Sequence, residues 1–200
     1  MKQRPLIIKT SSDEFVELYN KDTISAFFYM NPNIKTVDII QWGNTITKWT
    51  NFSYLINGNS IKTITATDAP ILKNVISMFH NCYDLESINN IENWDLSNIT
   101  ATFFTFYNCH NFNSDISDWN VSNIKDMRYM FYNCYKFNSN LSKWDVSNLI
   151  DAYHAFYNCH SFEHDLSNWN IPNVKYTNSI FENCKNPNTE LLRILKLRDL

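Results

Sequence analysis

Glycine is almost missing from this chain of 200 residues, which holds 2 glycines and 5 prolines, well under the average usage of about 7% and 5%. Its turns must be built from something else. Asparagine is the available substitute, because its short amide tolerates left-handed backbone and bonds its own main chain. A dominant charge is lacking too: 17 basic against 20 acidic residues leave a net charge of -3 with no long run of either sign. That excludes the basic patch of a nucleic-acid binder. No apolar run reaches the length of a membrane span, and Leu6-Ile7-Ile8 is too short even for a signal-peptide core. The expectation is a soluble, cytoplasmic chain without a signal peptide.

Chemistry-bearing motifs are also absent. There is no glycine-rich phosphate loop, no HExxH and no serine nucleophile elbow. His80, His110, His154, His160 and His164 suit acid-base work, yet none has a recurring partner. Cys82, Cys109, Cys134, Cys159 and Cys184 are odd in number and share one repeat position, which reads as buried reduced thiols, not as a disulfide framework. Metal ligands would need CxxC or converging Cys and His. The chain is therefore read as a non-enzyme with no cofactor and no metal.

What is present is a repeat. Trp94, Trp119, Trp144 and Trp169 lie 25 residues apart, as do Phe106, Phe131, Phe156 and Phe181, and Asn108, Asn133, Asn158 and Asn183. A fixed period of this size marks a stacked architecture in which each unit buries its apolar edge against its neighbours. Within a copy, 112–117 alternates like a short strand, 118–123 is a corner, and 124–131 places apolar residues at Ile124, Met127, Met130 and Phe131, a helical stripe. The expected fold is a right-handed α/β solenoid of about six to seven coils, strand plus short helix in each, with helical caps at both ends. Residues 1–27 are the N-terminal cap, a strand and then a helix from a Ser11-x-x-Glu14 capping box. Degenerate repeats follow over 28–71, with Ile34 aligned on Ile61, and regular repeats over 72–187. Residues 188–200 form a capping helix.

Stacking turns each repeat position into a column. The amides of Asn81, Asn108, Asn133, Asn158 and Asn183 can link coils, and Asn98, Asn123, Asn148 and Asn173 are expected to cap the helical turns. Two surfaces are candidates for a partner. One is the sheet face carrying Asn113, Asp115, Asn138, Asn140, Glu163, His164 and Asp165, with Ser114 and Ser139 beside them. The other is the aromatic column Tyr107, Tyr132 and Tyr157, with His80 below it.

The copies WDLSNIT, WNVSNIKDMRYMFYNC and WDVSNLIDAYHAFYNC resemble the BspA-like leucine-rich repeat, a mycoplasma-type domain of unknown function also found in protists and large DNA viruses. The resemblance implies a curved stack used for adhesion or protein contact, with no catalytic residues to carry over. Thr102, Ala152, Thr177 and Pro172 depart from its pattern. The functional expectation is a non-enzymatic protein–protein interaction module, monomeric, of viral or parasite type and acting in the host cytoplasm if viral. A structural or self-assembling component, dimerising through the C-terminal helix, is the alternative, as is a glycan-binding adhesin-like module.

Overall fold

The computed structural model describes residues 6–10, 14–18, 27, 29–31, 37–43 and 61–196. Regular secondary structure is concentrated near the N-terminus. Strands β1 (Leu6–Thr10), β2 (Phe15–Leu18), β3 (Val37–Gln41), β4 (Ile61–Ile64) and β5 (Ser87–Ile88) form one sheet in the order β2-β1-β3-β4-β5. β1 is antiparallel to β2 and β3, whereas β3, β4 and β5 run parallel. Leu6, Ile8 and Thr10 alternate inward along β1, the period of two that a half-buried strand requires.

The sequence-based α/β solenoid with helical caps is overturned: 7% of the structure is helical, and its regular part is this five-stranded mixed sheet. At the N-terminus, the residues expected to form a helix after the capping box form β2, with Leu18 opposite Leu6 and Phe15 opposite Lys9. Pairing with β1 overrides a local cap signal worth about 1 kcal/mol; Ser11, Ser12 and Asp13 lie outside the described residues. The alignment of the early units shifts as well. Val37 pairs with Ile61, so the register at this junction differs from the expected one by three residues, Ile34 itself lying outside the described residues, whereas Thr63 opposite Ser87 keeps the expected step from Ile61 to Leu85.

Beyond β5 the strand-like segments keep few main-chain bonds, such as the Asn113 amide to the Glu86 carbonyl at 2.9 Å and the Asn186 amide to the Phe162 carbonyl at 2.9 Å, and side chains take over other places in the ladder. The Ile88 amide donates to Ser114 Oγ at 2.8 Å, Ile116 to Ser139 Oγ at 3.0 Å, and Leu166 to Asn188 Oδ1 at 2.7 Å. The Asn138 and Glu163 amides donate to Asn113 Oδ1 and Asn138 Oδ1 at 2.8 and 3.1 Å. Short polar side chains compete with ladders in this way.

No helix forms at 124–131 either. Alternate amides leave the segment for the next unit: Met127 to the Asp151 carbonyl, Tyr129 to Tyr153, Phe131 to Ala155 and Asn133 to Tyr157, at 2.8–3.0 Å. The amides between them close turns, Met130 on Met127 and Tyr132 on Tyr129. A helix would keep every amide for itself. Here half go to the neighbour, and tandem turns reproduce the three-residue apolar spacing that reads as helical.

These turns need left-handed backbone at two places in each unit. Asparagine holds one, with φ of 63, 60, 59, 60 and 62° at Asn81, Asn108, Asn133, Asn158 and Asn183; this is where glycine's scarcity is made good. The other is held by Ser77, Phe104, Tyr129, His154 and Ser179 at 53–59°, residue types for which this region costs about 1–3 kcal/mol.

The columns form as expected from the period. The indoles of Trp94, Trp119, Trp144 and Trp169 stack at 6.3–6.4 Å. Phe106 stacks on Phe131 at 5.7 Å and Phe131 on Phe156 at 5.3 Å, with Phe112, Phe137 and Phe162 alongside at 6.0 Å steps. Trp119, Trp144 and Trp169 each donate Nε1–H to a carbonyl one unit back, Ile91, Ile116 and Leu141, at 2.7–3.1 Å. Helix α1 (Thr189–Lys196) follows the last unit, with Leu191 buried.

Candidate interaction surfaces

The polar surface gathers around a depression of about 320 Å³ lined by Asn113, Asp115, Asn138, Asn140 and His164, with Ser114 and Ser139 at its floor. Both serines are buried, at 7% and 6% exposure, not surface residues as their column suggests. Most polar groups here are already committed. Asp115 Oδ1 accepts from the Ser117 amide at 3.0 Å and from Ser139 Oγ at 3.1 Å, and Asn140 Oδ1 accepts from the Ser142 amide at 3.1 Å. Asp165 takes both the amide and the hydroxyl of Ser167 at 2.9 Å. His164 Nε2 lies 3.0 Å from the Asn138 carbonyl. Glu163 pairs with Lys185, and the ammonium with the Asn138 amide holds its carboxyl below the usual range. The surface is thus a set of unit-to-unit links as much as a platform.

The aromatic surface is arranged differently. His80, Tyr107, Tyr132 and Tyr157 stack in register at 4.9, 4.9 and 4.8 Å, with interplanar angles of 7–11°. Beside them runs a second column that the sequence reading did not pick out: Phe104, Tyr129 and His154, stacked at 4.9 and 5.3 Å. The columns interlock edge to face, Phe104 with Tyr107 at 5.3 Å and His154 with Tyr157 at 5.1 Å, an arrangement that adds about 0.5–1.5 kcal/mol per pair beyond burial. All of these rings are half-buried. Arg128 lies over Phe103 at 5.4 Å and pairs with Asp126 at 2.7 Å. Burial lowers the affinity of His154 for a proton, against the pull of Glu182. The signal for the second column was available, since 104, 129 and 154 keep the period of 25 and all carry rings.

A family model described as "Mycoplasma protein of unknown function, DUF285" matches residues 73–193. This chain belongs to the DUF285 family. No curated protein and no solved structure matches it. The DUF285 match covers the units whose columns are described above together with most of α1, and the family is the BspA-like repeat family.

In this DUF285 chain the thiols form part of the scaffold. All five cysteines are free. Cys109, Cys134, Cys159 and Cys184 donate from Sγ to the carbonyls of Phe79, Phe106, Phe131 and Phe156 at 3.0–3.1 Å. Burial pushes the Cys82, Cys109, Cys134 and Cys159 thiols well above their ordinary range, which suppresses the thiolate that nucleophilic chemistry needs. Among the described residues no group of three or more His, Cys, Asp or Glu is placed to hold a metal ion, and no helix is long and apolar enough to cross a membrane. The asparagines at 98, 123, 148 and 173 have no helix to cap. Instead Asn123, Asn148 and Asn173 donate to the Ser97, Ser122 and Ser147 carbonyls at 2.7–2.9 Å, tying each corner to the one before.

Proposed function

We propose that this chain is a non-enzymatic protein-binding module that meets its partner through the aromatic face. The observation that carries this reading is the half-exposed double column of Tyr107, Tyr132 and Tyr157 beside Phe104, Tyr129 and His154. Rings already locked by their neighbours lose little freedom on binding, and tyrosine combines large apolar area with a polar tip. The polar surface supports the reading less, because Asn113, Asp115 and Asn138 spend their acceptors on neighbouring units and Asn140 spends its own on the Ser142 amide. A glycan is favoured less for a related reason: a sugar packs on a ring face, and stacking at 4.8–4.9 Å hides those faces within the column. Free buried thiols fit a reducing compartment, in keeping with action in the cytoplasm, of a host cell if the chain is viral. Burial of Leu191 on the core leaves α1 with less to offer a second copy, in keeping with a monomer.

Capture from host-cell lysate by the full chain, with partners identified by mass spectrometry and then purified for affinity measurement, tests the assignment. Tyr132→Leu should weaken the recovered partner at least about tenfold, as for a central interface aromatic, while Glu163→Lys/His164→Glu leaves it unchanged. The opposite pattern moves the contact to the polar surface. Undiminished binding by both variants, each shown to be folded by its thermal transition, sinks both surfaces.

A further inference from the structure

Each repeating unit gives its alternate amides forward and receives on alternate carbonyls from behind. Ser77, Phe79 and Asn81 donate to Phe103, Thr105 and Tyr107, and the pattern continues until Ala152, His154, Phe156 and Asn158 donate to Tyr176, Asn178, Ile180 and Glu182 at 2.9–3.1 Å. The asparagine side chains run with the opposite polarity. Asn108, Asn133, Asn158 and Asn183 each donate Nδ2–H to the Oδ1 of the asparagine before, at 2.7–2.8 Å. The alternate main-chain donors of this turn segment therefore point toward the last unit, although other amides such as Lys125 and Lys175 donate backward to Thr100 and Ile150. At the last unit the forward series stops: among the described residues nothing accepts from the amides of Thr177, Ser179, Phe181 and Asn183, or donates to Asn183 Oδ1. A groove of about 500 Å³ runs along this edge, lined by residues 177–184 together with Pro187 and Leu192.

We infer that this edge is a second binding surface, and that it takes a polypeptide segment folded like one more unit of the same repeat. The occupant follows from the junctions inside the molecule, where the same edge is met again and again by the same complement. That complement presents carbonyl oxygens at every second residue and an asparagine whose amide donates into the column. Phe181 is already covered at 2% exposure, so main-chain bonds and the Asn183 amide provide the contact, as when a strand is added to an open sheet edge. An ordinary extended strand fits poorly, since it alternates donors with acceptors along one side, whereas along 177–183 the carbonyls of Thr177, Ser179 and Phe181 are taken by the turn amides of Ile180, Glu182 and Cys184 and the stretch offers main-chain donors. The partner is thus a polypeptide bearing a turn of the type Ala-x-x-Ala-Phe-x-Asn-Cys, as in Ala152–Cys159. The inference stands apart from the aromatic face, which lies along the side of the units and not at their end.

The test uses the full isotopically labelled chain and a synthetic peptide of residues 151–162. Addition of peptide should shift the amide resonances of Thr177, Ser179, Phe181 and Asn183, and at about ten times Kd their hydrogen exchange should slow roughly tenfold. A peptide with Asn158→Leu should bind more weakly. So should wild-type peptide against the Asn183→Gly chain, which keeps the left-handed turn while removing the terminal acceptor. Absence of shifts at those four amides up to the solubility limit of the peptide overturns the proposal. So do shifts that arise on concentrating the chain without peptide, which would assign the edge to self-association. Loss of partner binding by Tyr132→Leu with the peptide effect intact keeps the two surfaces distinct.

Discussion

The sheet at the N-terminus and the turns that follow it solve one problem in two ways. Both advance by a nearly constant step, with Val37 opposite Ile61 and Thr63 opposite Ser87 in the sheet, and Phe106 over Phe131 over Phe156 beyond it. In β1, β3 and β4 the residues are mainly Ile, Val, Leu and Thr, which fit a pleated surface and leave pairing to the main chain. In the later units Asn, Ser and Asp occupy the equivalent segment, and their side chains stand in for carbonyls. Side-chain chemistry at the surface positions, with the stacking period held, decides whether a unit is strand or turn.

The sharpest way to break this comparison is to remove a ring shared by three units. Phe131 is fully buried between Phe106 and Phe156 and lies 4.2 Å from Phe137. Phe131→Ala should cost about 3–5 kcal/mol by chemical denaturation. Units that touch only their neighbours should lose protection locally, so hydrogen exchange ought to accelerate over the flanking units and stay unchanged in β1 and β3. Uniform acceleration, sheet included, would make the two regions one cooperative body and void the contrast.

A smaller effect separates backbone from side chain at the asparagine column. Asn133 has φ of 59°, donates to Asn108 and accepts from Asn158. Asn133→Gly loses the amide bonds and keeps the turn, at a cost of about 1–2 kcal/mol. Asn133→Ala adds the left-handed penalty and should be worse by about 1–2 kcal/mol. Equal stability of the two variants, or a more stable alanine, would deny that left-handed geometry is why asparagine stands here.

The period, the columns and the inward ring positions were legible because each rests on identity at fixed spacing: Trp94 to Trp169, Phe106 to Phe181, and the cysteines. The asparagine ladder was legible from chemistry, since one amide both gives and accepts. Local conformation was not. Ile124, Met127 and Met130 carry a spacing of three that helices and tandem turns share, and only the destination of the Met127, Tyr129 and Phe131 amides tells them apart. Phe15–Leu18 was misread for the same reason, its partner β1 being invisible to a local cap signal. Of the two candidate surfaces, the sequence named Tyr107, Tyr132 and Tyr157 but not Phe104, Tyr129 and His154. It placed Asn113 and Asp115 outward without showing that their oxygens bond the next unit.

The least effect expected is on the acid limb of stability, and it sharpens the same contrast between side chain and main chain. The Ser117 amide and hydroxyl hold Asp115 below the usual carboxylate range, and the Ser147 hydroxyl and amide do the same for Asp145. A carboxylate with a lowered folded pKa contributes stability that is complete above its unfolded value of about 3.9 and fades as pH falls through the lower folded value. Asp151 has the opposite sign. Burial raises it, against the Tyr153 amide and Arg128, so protonation favours the folded chain and stability gains slightly as pH falls from the raised folded pKa toward the unfolded one. Asparagine already serves as the cap at Asn120 and Asn140, accepting from Ser122 and Ser142 at 3.2 and 3.1 Å. Asp115→Asn should therefore keep the turn and flatten the acid loss, whereas Asp151→Asn should erase the small gain and leave the loss in place. Melting temperatures between pH 3 and pH 6 distinguish these outcomes, and identical profiles for both variants would mean that these carboxylates report on no folded-state bond.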